Sequence, residues 1–442
     1  MPFVILPTNS ASGGYNITNS LRFNSGSSDY LNRTPASAGS RTAWTWSSWV
    51  KRSELATGSA QVLFGAYLTG SDSGWLEFGF DSDNTANWTV QNVGGNSTSV
   101  YRDVSAWYHY LMNYDGTAGG LKLYINGSQV TISNTSSISG SLGINSASSH
   151  RIGRSPNTAV SRQFGGYMSD IYFIDGSTLT PTSFGETDED TGIWKPKAFS
   201  GTYGTNGFYL QFKNSASLGT DSSGNGNNFT VNNLTSIDQT TDTPTNNFAT
   251  LNPLNMGTRI TLTEGNLQQV TSASTSTSCR VASTIAVSAG KWYCEYKAVS
   301  GTVHDVGIYS TSESVSNDYI GSTAKSYGYY TTGTKYNNGG SAYGASWTAG
   351  DIIGIAFDAD NGTLTFYKNG TSQGTAFTSI PNDFYYFAQG DSTNATWTGQ
   401  FNFGNPPYSG GSFTDSAGFG NFSYQPPANY FSLCTKNLAT YG

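Results

Sequence analysis

Glu186-Thr-Asp-Glu-Asp190 is the densest group of acids in the chain, and paired carboxylates are what glycosidic-bond hydrolysis requires. A working set on one strand needs alternate spacing, because successive side chains of a strand point to opposite faces. This run has Gly185 before it and Thr191-Gly192 after it, with none of the apolar residues of a strand interior. It reads as a solvated loop. His109, His150 and His304 lie far apart, with no His-Glu-x-x-His spacing for a metal. The expectation is a protein that is not an enzyme.

Two other groups could bind rather than react. Asp221, Ser223, Asn225 and Asn227 carry oxygens at positions one, three, five and seven, with Gly226 at six, as in an EF-type calcium loop. Position twelve is Asn232, where such a loop uses a bidentate Glu. Two readings stay open: a weak calcium site, or a structural loop with no cofactor. The second group is aromatic. Tyr327, Tyr329, Tyr330, Tyr336, Tyr343 and Trp347 are interleaved with Gly, Asn, Ser and Thr over a short stretch. Such rings can stack on the apolar face of a sugar while neighbouring amides and hydroxyls bond its hydroxyls. The alternative is that they are strand residues packing a core or a subunit interface.

The elements that must position these groups are strands. Charged residues make up 11% of the 442, against roughly 25% in ordinary globular proteins. Aromatics reach 14%, which separates the chain from disordered sequences of similar polarity. Short runs such as Trp44-Thr-Trp-Ser-Ser-Trp-Val50 and Gly74-Trp-Leu-Glu-Phe-Gly-Phe80 recur between turn clusters. Several alternate apolar and polar residues, so one face can enter a core. Asn126-Gly127 and Asn369-Gly370 follow such runs, and both central positions of a type I′ hairpin turn need positive φ. Only the stretch around Pro181 to Glu186 reads as helical. The fold class is all-β, with two β-sandwich (jelly-roll) domains in tandem.

A net charge of −7 argues against a nucleic-acid partner, which needs a basic stripe. No run approaches 18 apolar residues, so membrane insertion is not expected. The opening MPFVILPTNSASGG lacks a basic n-region and does not read as a secretory signal. Cys279, Cys294 and Cys434 are odd in number and widely spaced. They read as reduced thiols, with a Cys279–Cys294 bridge as the alternative.

The first half resembles the concanavalin-A-like, laminin-G-like jelly rolls. The matching order is Leu21-Arg-Phe23 with Asp29-Tyr-Leu31, Trp44 to Val50, Trp107-Tyr-His-Tyr110, Leu123-Tyr-Ile-Asn-Gly127, Arg151-Ile-Gly153 and Gly166 to Ile174. In that family the last strand returns beside the first, and Gly207-Phe-Tyr-Leu-Gln-Phe212 is its counterpart here. The second half resembles a SPRY domain through Gly290-Lys-Trp-Tyr-Cys-Glu-Tyr296, Gly350 to Asp358, Gly362 to Gly370 and Phe401-Asn-Phe-Gly404. SPRY domains bind partners through loops, and the aromatic stretch falls between two of the matched strands.

The pairing of the halves, with Thr241-Asp-Thr-Pro-Thr-Asn-Asn247 between them and Asn429 to Leu438 at the end, resembles structural proteins of marine tailed bacteriophages. That resemblance implies a virion surface protein, made in the host cytoplasm and fitted to a tail fibre or other appendage. It would bind a host-surface glycan or other virion proteins. A head-decoration or tail-assembly role without glycan binding is the alternative, and a glycan hydrolase the weakest reading. Expected domains are 1–215 for the first sandwich, 216–256 for a polar connector and 257–410 for the second sandwich. Residues 411–442 form an extension packing on a domain or a neighbouring subunit. The aromatic ending, Phe413 to Tyr430, would leave an apolar patch if uncovered, which motivates a homo-oligomer, by analogy a trimer.

Overall fold

In the computed structural model, residues 14–442 are described apart from 56–57, 69–73, 91–92, 274–277, 314–317 and 392–394. They form four large antiparallel sheets, two in each of two compact units, Ala11–Thr245 and a second that contains Asn246–Gly442. The composition leads here directly: β-branched and aromatic residues alternate with small polar ones, and Asn and Gly supply the turns. Asn126 (φ 48°) with Gly127 (φ 81°), and Asn369 (φ 47°) with Gly370 (φ 78°), close their hairpins with both central residues at positive φ.

In the first unit the centre of one sheet is strand Trp44–Arg52, flanked by Trp107–Tyr114 and Gly166–Asp175. All nine residues of Trp44–Arg52 are buried, so both faces of this sheet are covered. Trp44, Trp46 and Val50 enter the main core, while Trp49 packs with Trp107 and Tyr167 on the opposite face. The second sheet runs Thr230–Asn232, Tyr30–Arg33, Ser149–Ile152, Gln61–Tyr67, Trp75–Phe80, Thr85–Val90 and Val93–Val100.

Strand Gly166–Asp175 is bulged between Ser169 and Tyr172. Ser20–Phe23 pairs with it before the bulge and Phe208–Leu210 after it, so these two lie end to end along one edge. The returning strand is therefore not beside the first. That position belongs to Gln239–Thr240.

The expected connector, 216–256, is corrected by the same pairings. Thr230–Asn232 extends one sheet and Gln239–Thr240 the other. Asp238 reaches the buried Arg22 at 3.3 Å, and Asp242 reaches the buried Lys51 at 2.8 Å. Buried cations need such partners, and the polar segment supplies them. The division between units falls at Thr245 and Asn246.

In the second unit one sheet orders Leu251–Met256, Cys279–Val287, Tyr385–Asp391, Asp305–Ser310, Ser326–Tyr330, Thr334–Tyr336 and Gly340–Ala342. The other orders Ile260–Thr263, Gln268–Thr271, Trp397–Asn402, Lys291–Ser300, Ile352–Asp358, Thr363–Lys368 and Thr371–Phe377. The C-terminal residues fold back on this unit. Phe431–Ser432 pairs in parallel with Lys291–Ser300, and helix Thr435–Tyr441 ends the chain. Phe422 and Leu433 are fully buried, so the ending folds back on its own unit, while Phe413 stays 41% exposed. The stretch read as helical holds only the 3-10 turn Pro181–Ser183.

Candidate functional site

Strand alternation divides the aromatic group. Tyr327 and Tyr329, two residues apart, face the core of the second unit. Tyr329 lies 5.1 Å from Phe366, 5.2 Å from Tyr343 and 5.9 Å from Trp347, ring to ring, and its hydroxyl donates to the Ala345 carbonyl. Tyr327 packs on Phe377 and Tyr385. Trp347 is 3% exposed and plugs the core next to Tyr296 and His304. Tyr330 points to the opposite face, where its ring meets Tyr336 at 4.2 Å and its hydroxyl donates to the Ile320 carbonyl at 3.2 Å. Tyr343 is half-buried and donates to the Gly374 carbonyl. Tyr327, Tyr329, Tyr330 and Trp347 are buried packing residues, which corrects the glycan-binding expectation for these four; Tyr336 and Tyr343 are half-buried against Tyr330 and Tyr329.

The calcium reading meets a similar outcome. Asp221 Oδ1 accepts from the Tyr209 and Ser223 amides at 2.9 and 2.8 Å, and Oδ2 accepts from Ser223 Oγ and the Asn227 amide, both at 2.8 Å. Asn225 and Asn227 turn their amide nitrogens to the Gly204, Thr205 and Gly207 carbonyls. Asn227 Oδ1 accepts from the Arg33 guanidinium. N–H donors fill the place where a cation needs oxygens. This is a structural loop that ties 221–227 to the first unit.

The histidines are buried and neutral. Trp194 Nε1 donates to His109 Nδ1 at 3.0 Å, and Ser47 Oγ lies 2.8 Å from His109 Nε2. That network puts the proton on Nε2, so Ser47 accepts and no base faces the hydroxyl, the reverse of a nucleophile–base pair. Burial pushes His109 down to about 3. His150 and His304 are each lowered to about 4, again by burial first. His150 bridges the Asn145 amide and the Ser148 carbonyl, and His304 Nδ1 meets the Tyr296 hydroxyl at 2.7 Å. Glu186 and Asp188 sit on the hairpin of Gly185–Thr187 with Trp194–Pro196, where Lys195 reaches Asp188 at 3.0 Å and Glu186 at 3.7 Å. All three cysteines are free and buried.

What the second unit offers outward is a polar rim made of 337–350 and 369–375, most of it exposed. The rim is held in shape by its own side chains. Gln373 Oε1 accepts from the Ala345 amide at 2.9 Å, and Lys368 Nζ donates to the Ser346 carbonyl at 2.8 Å while pairing with Asp351 at 3.3 Å. Asn369 Nδ2 donates to Asp351 Oδ1 at 2.7 Å. Sequence reasoning missed this surface because it sought rings. The signal was the pair of turns at Gly350-Asp351 and Asn369-Gly370.

Residues 25–183 match the concanavalin A-like lectin/glucanases superfamily, and residues 291–406 match the SPRY domain family. The chain carries a concanavalin-A-like domain followed by a SPRY domain. Ran-binding protein 10 of Danio rerio is 35% identical over 113 residues, covering 24% of this chain and 19% of that protein. Human Ran-binding protein 9 is also 35% identical over 113 residues, 24% of this chain and 16% of its own length. The E3 ubiquitin-protein ligase RKP of Arabidopsis thaliana is 47% identical over 47 residues, 11% of this chain and 4% of the ligase. The chain thus spans less than a fifth of each of these relatives. A crystal structure of the SPRY domain of human HERC1 aligns with a TM-score of 0.31 at 18% identity, covering 34% of this chain and 96% of that domain.

These relatives correct the functional expectation. They are animal and plant proteins, not tail fibres, and the reading as a phage appendage, decoration protein or glycan hydrolase is withdrawn.

Proposed function

We propose that the chain is a non-catalytic interaction protein whose SPRY domain docks a partner protein. The observation that carries this reading is the SPRY match over 291–406, together with relatives that are named for binding the protein Ran. The pre-shaped rim of 337–350 and 369–375 supports it, since loops already held in place lose little freedom on docking. The reversed Ser47–His109 pair and the hairpin acids give chemistry no foothold, which supports the non-catalytic part.

The test is affinity capture on the full chain, comparing wild type with the paired rim substitutions Ser346→Arg and Thr371→Arg. Both positions are exposed, so the fold should be kept. Proteins retained by wild type and lost by the rim variant, yet kept by a control substitution at an exposed position of the first domain such as Ser139→Arg, are the expected result. An identical set from all three would remove the rim as the docking surface.

A further inference from the structure

On the solvent side of the seven-stranded sheet in the concanavalin-A-like domain, two arginines converge on one ring. The Arg151 guanidinium carbon lies 4.8 Å from the Tyr30 centroid and that of Arg154 lies 5.4 Å from it. Among the described residues neither guanidinium reaches a carboxylate. Arg151 donates to the Ser155 carbonyl at 3.1 Å, and the Nε atoms of both arginines are buried without a hydrogen-bond partner. All three side chains are half-buried.

The acid that could have paired with them is already taken. Arg151 stands opposite Gly65, and Gly65 opposite Glu77, so Glu77 is two strands along the same row. Its carboxylate accepts from Arg162 at 2.5 Å, Ser155 Oγ at 2.5 Å and Trp75 Nε1 at 3.0 Å. Burial holds Arg151 below its usual value, Arg154 pushes it the same way, and Tyr30 opposes. Like charges brought together in a partly dry place are unfavourable unless something of opposite sign joins them. A chain with 28 acids against 21 bases could have placed one there and does not.

The donors that remain define the ligand. Each guanidinium is a rigid planar fork suited to an oxyanion with several acceptor oxygens. The aromatic ring fixes both forks, and Asn32, opposite Arg151, and Thr230, opposite Asn32, add an amide and a hydroxyl on the same row. Two uncompensated positive charges match a dianion better than a single carboxylate. We propose that Tyr30, Arg151 and Arg154 form a recognition site for a phosphate monoester dianion. The site lies in the first domain and stands whether or not the SPRY rim docks a partner.

Calorimetric titration of the full chain at constant ionic strength tests this, with inorganic phosphate, the tripeptide Gly-phosphoserine-Gly, its unphosphorylated form, and acetate. Phosphate and the phosphopeptide should bind saturably, and acetate and the plain peptide should not. Arg151→Met and Arg154→Met should each weaken phosphate by about tenfold or more, the loss of one charge-assisted contact. Arg154→Lys keeps stem and charge, so a folded variant that still loses affinity points to the fork. Lys122→Met, on the other sheet, should bind as wild type does. Tighter binding of the phosphopeptide than of inorganic phosphate assigns the source to a phosphorylated chain, and equal affinity to a free phosphate ester. Absence of saturable phosphate binding, retention of it in both methionine variants, or equal binding of acetate would each overturn the site.

Discussion

Asp170 holds positive φ (47°) at the bulge of Gly166–Asp175, buried, with the Tyr209 hydroxyl donating to it at 2.8 Å and Tyr172 at 3.4 Å. Burial raises its carboxyl from 3.8 to about 6, outweighing the tyrosine hydroxyls, Tyr15 among them, and the charge of Lys213. A carboxyl raised on folding stabilises fully below its unfolded value and loses that stabilisation as pH climbs through the folded value. The interval corresponds to about 3 kcal/mol. Asn keeps an acceptor for Tyr209 and tolerates the left-handed backbone. Urea unfolding should therefore find Asp170→Asn more stable than wild type at neutral pH by up to about 3 kcal/mol, with the gap closing near pH 4. A variant no more stable at neutral pH would mean that the tyrosine bonds outweigh burial. Asp221 makes the opposite case. Its oxygens serve backbone amides, so calcium or a chelator should leave the melting temperature unchanged. Asp221→Ala should cost about 1–3 kcal/mol by orphaning those amides. The spacing of oxygens in 221–227 was legible in the sequence; that N–H groups would fill the centre was not, because those donors come from Tyr209 and from the loop's own backbone.

Elements were most legible where local chemistry alone decides them. The Asn-Gly turns and the alternating strands around them needed no knowledge of distant residues. The segment 343–351 shows the opposite. Its Trp347, set among Gly, Ala, Ser and Thr, left stacking and packing both open in sequence, and it enters the core because Tyr296, His304 and Tyr329 wall a place for it. Trp347→Ala should destabilise the SPRY domain by about 3–5 kcal/mol, as truncation of a fully packed Trp does. Calorimetry reads this as a lower melting temperature. An unchanged melt would return Trp347 to the surface. The C-terminal extension is likewise invisible to local pattern, because what holds it is one carboxylate remote in sequence, Glu295, and one inside the extension, Asp415. Glu295 accepts from the Ser423 and Tyr424 amides at 2.9 and 2.8 Å, and Asp415 Oδ2 accepts from the Ser432 amide and Oγ and from Asn437 Nδ2.

At the scale of the molecule the sequence shows two sandwiches but misplaces their limits, and the reason is electrostatic. Residues 216–245 have the composition of a linker, yet Asp238 and Asp242 are the counter-ions of Arg22 and Lys51 inside the first unit. Cutting after residue 215 takes both away. Removing one partner of a buried pair costs about 3–5 kcal/mol, so losing two approaches the 5–15 kcal/mol that holds a whole domain. The edge strands Thr230–Asn232 and Gln239–Thr240 go with them. The same reasoning applies to the second unit. A fragment of 257–410 loses strand Leu251–Met256, and with the extension it loses Phe422, Phe431 and Leu433. Each buried side chain of that kind contributes about 1.5–3 kcal/mol. Fragments Ala11–Thr245 and Asn246–Gly442, produced separately, should each unfold in one cooperative urea transition. Fragments 1–215 and 257–410 should show no cooperative transition and should bind a dye for exposed apolar surface. If 1–215 unfolds as cooperatively and at the same urea concentration as Ala11–Thr245, the buried pairs are dispensable and the boundary belongs where the composition changes.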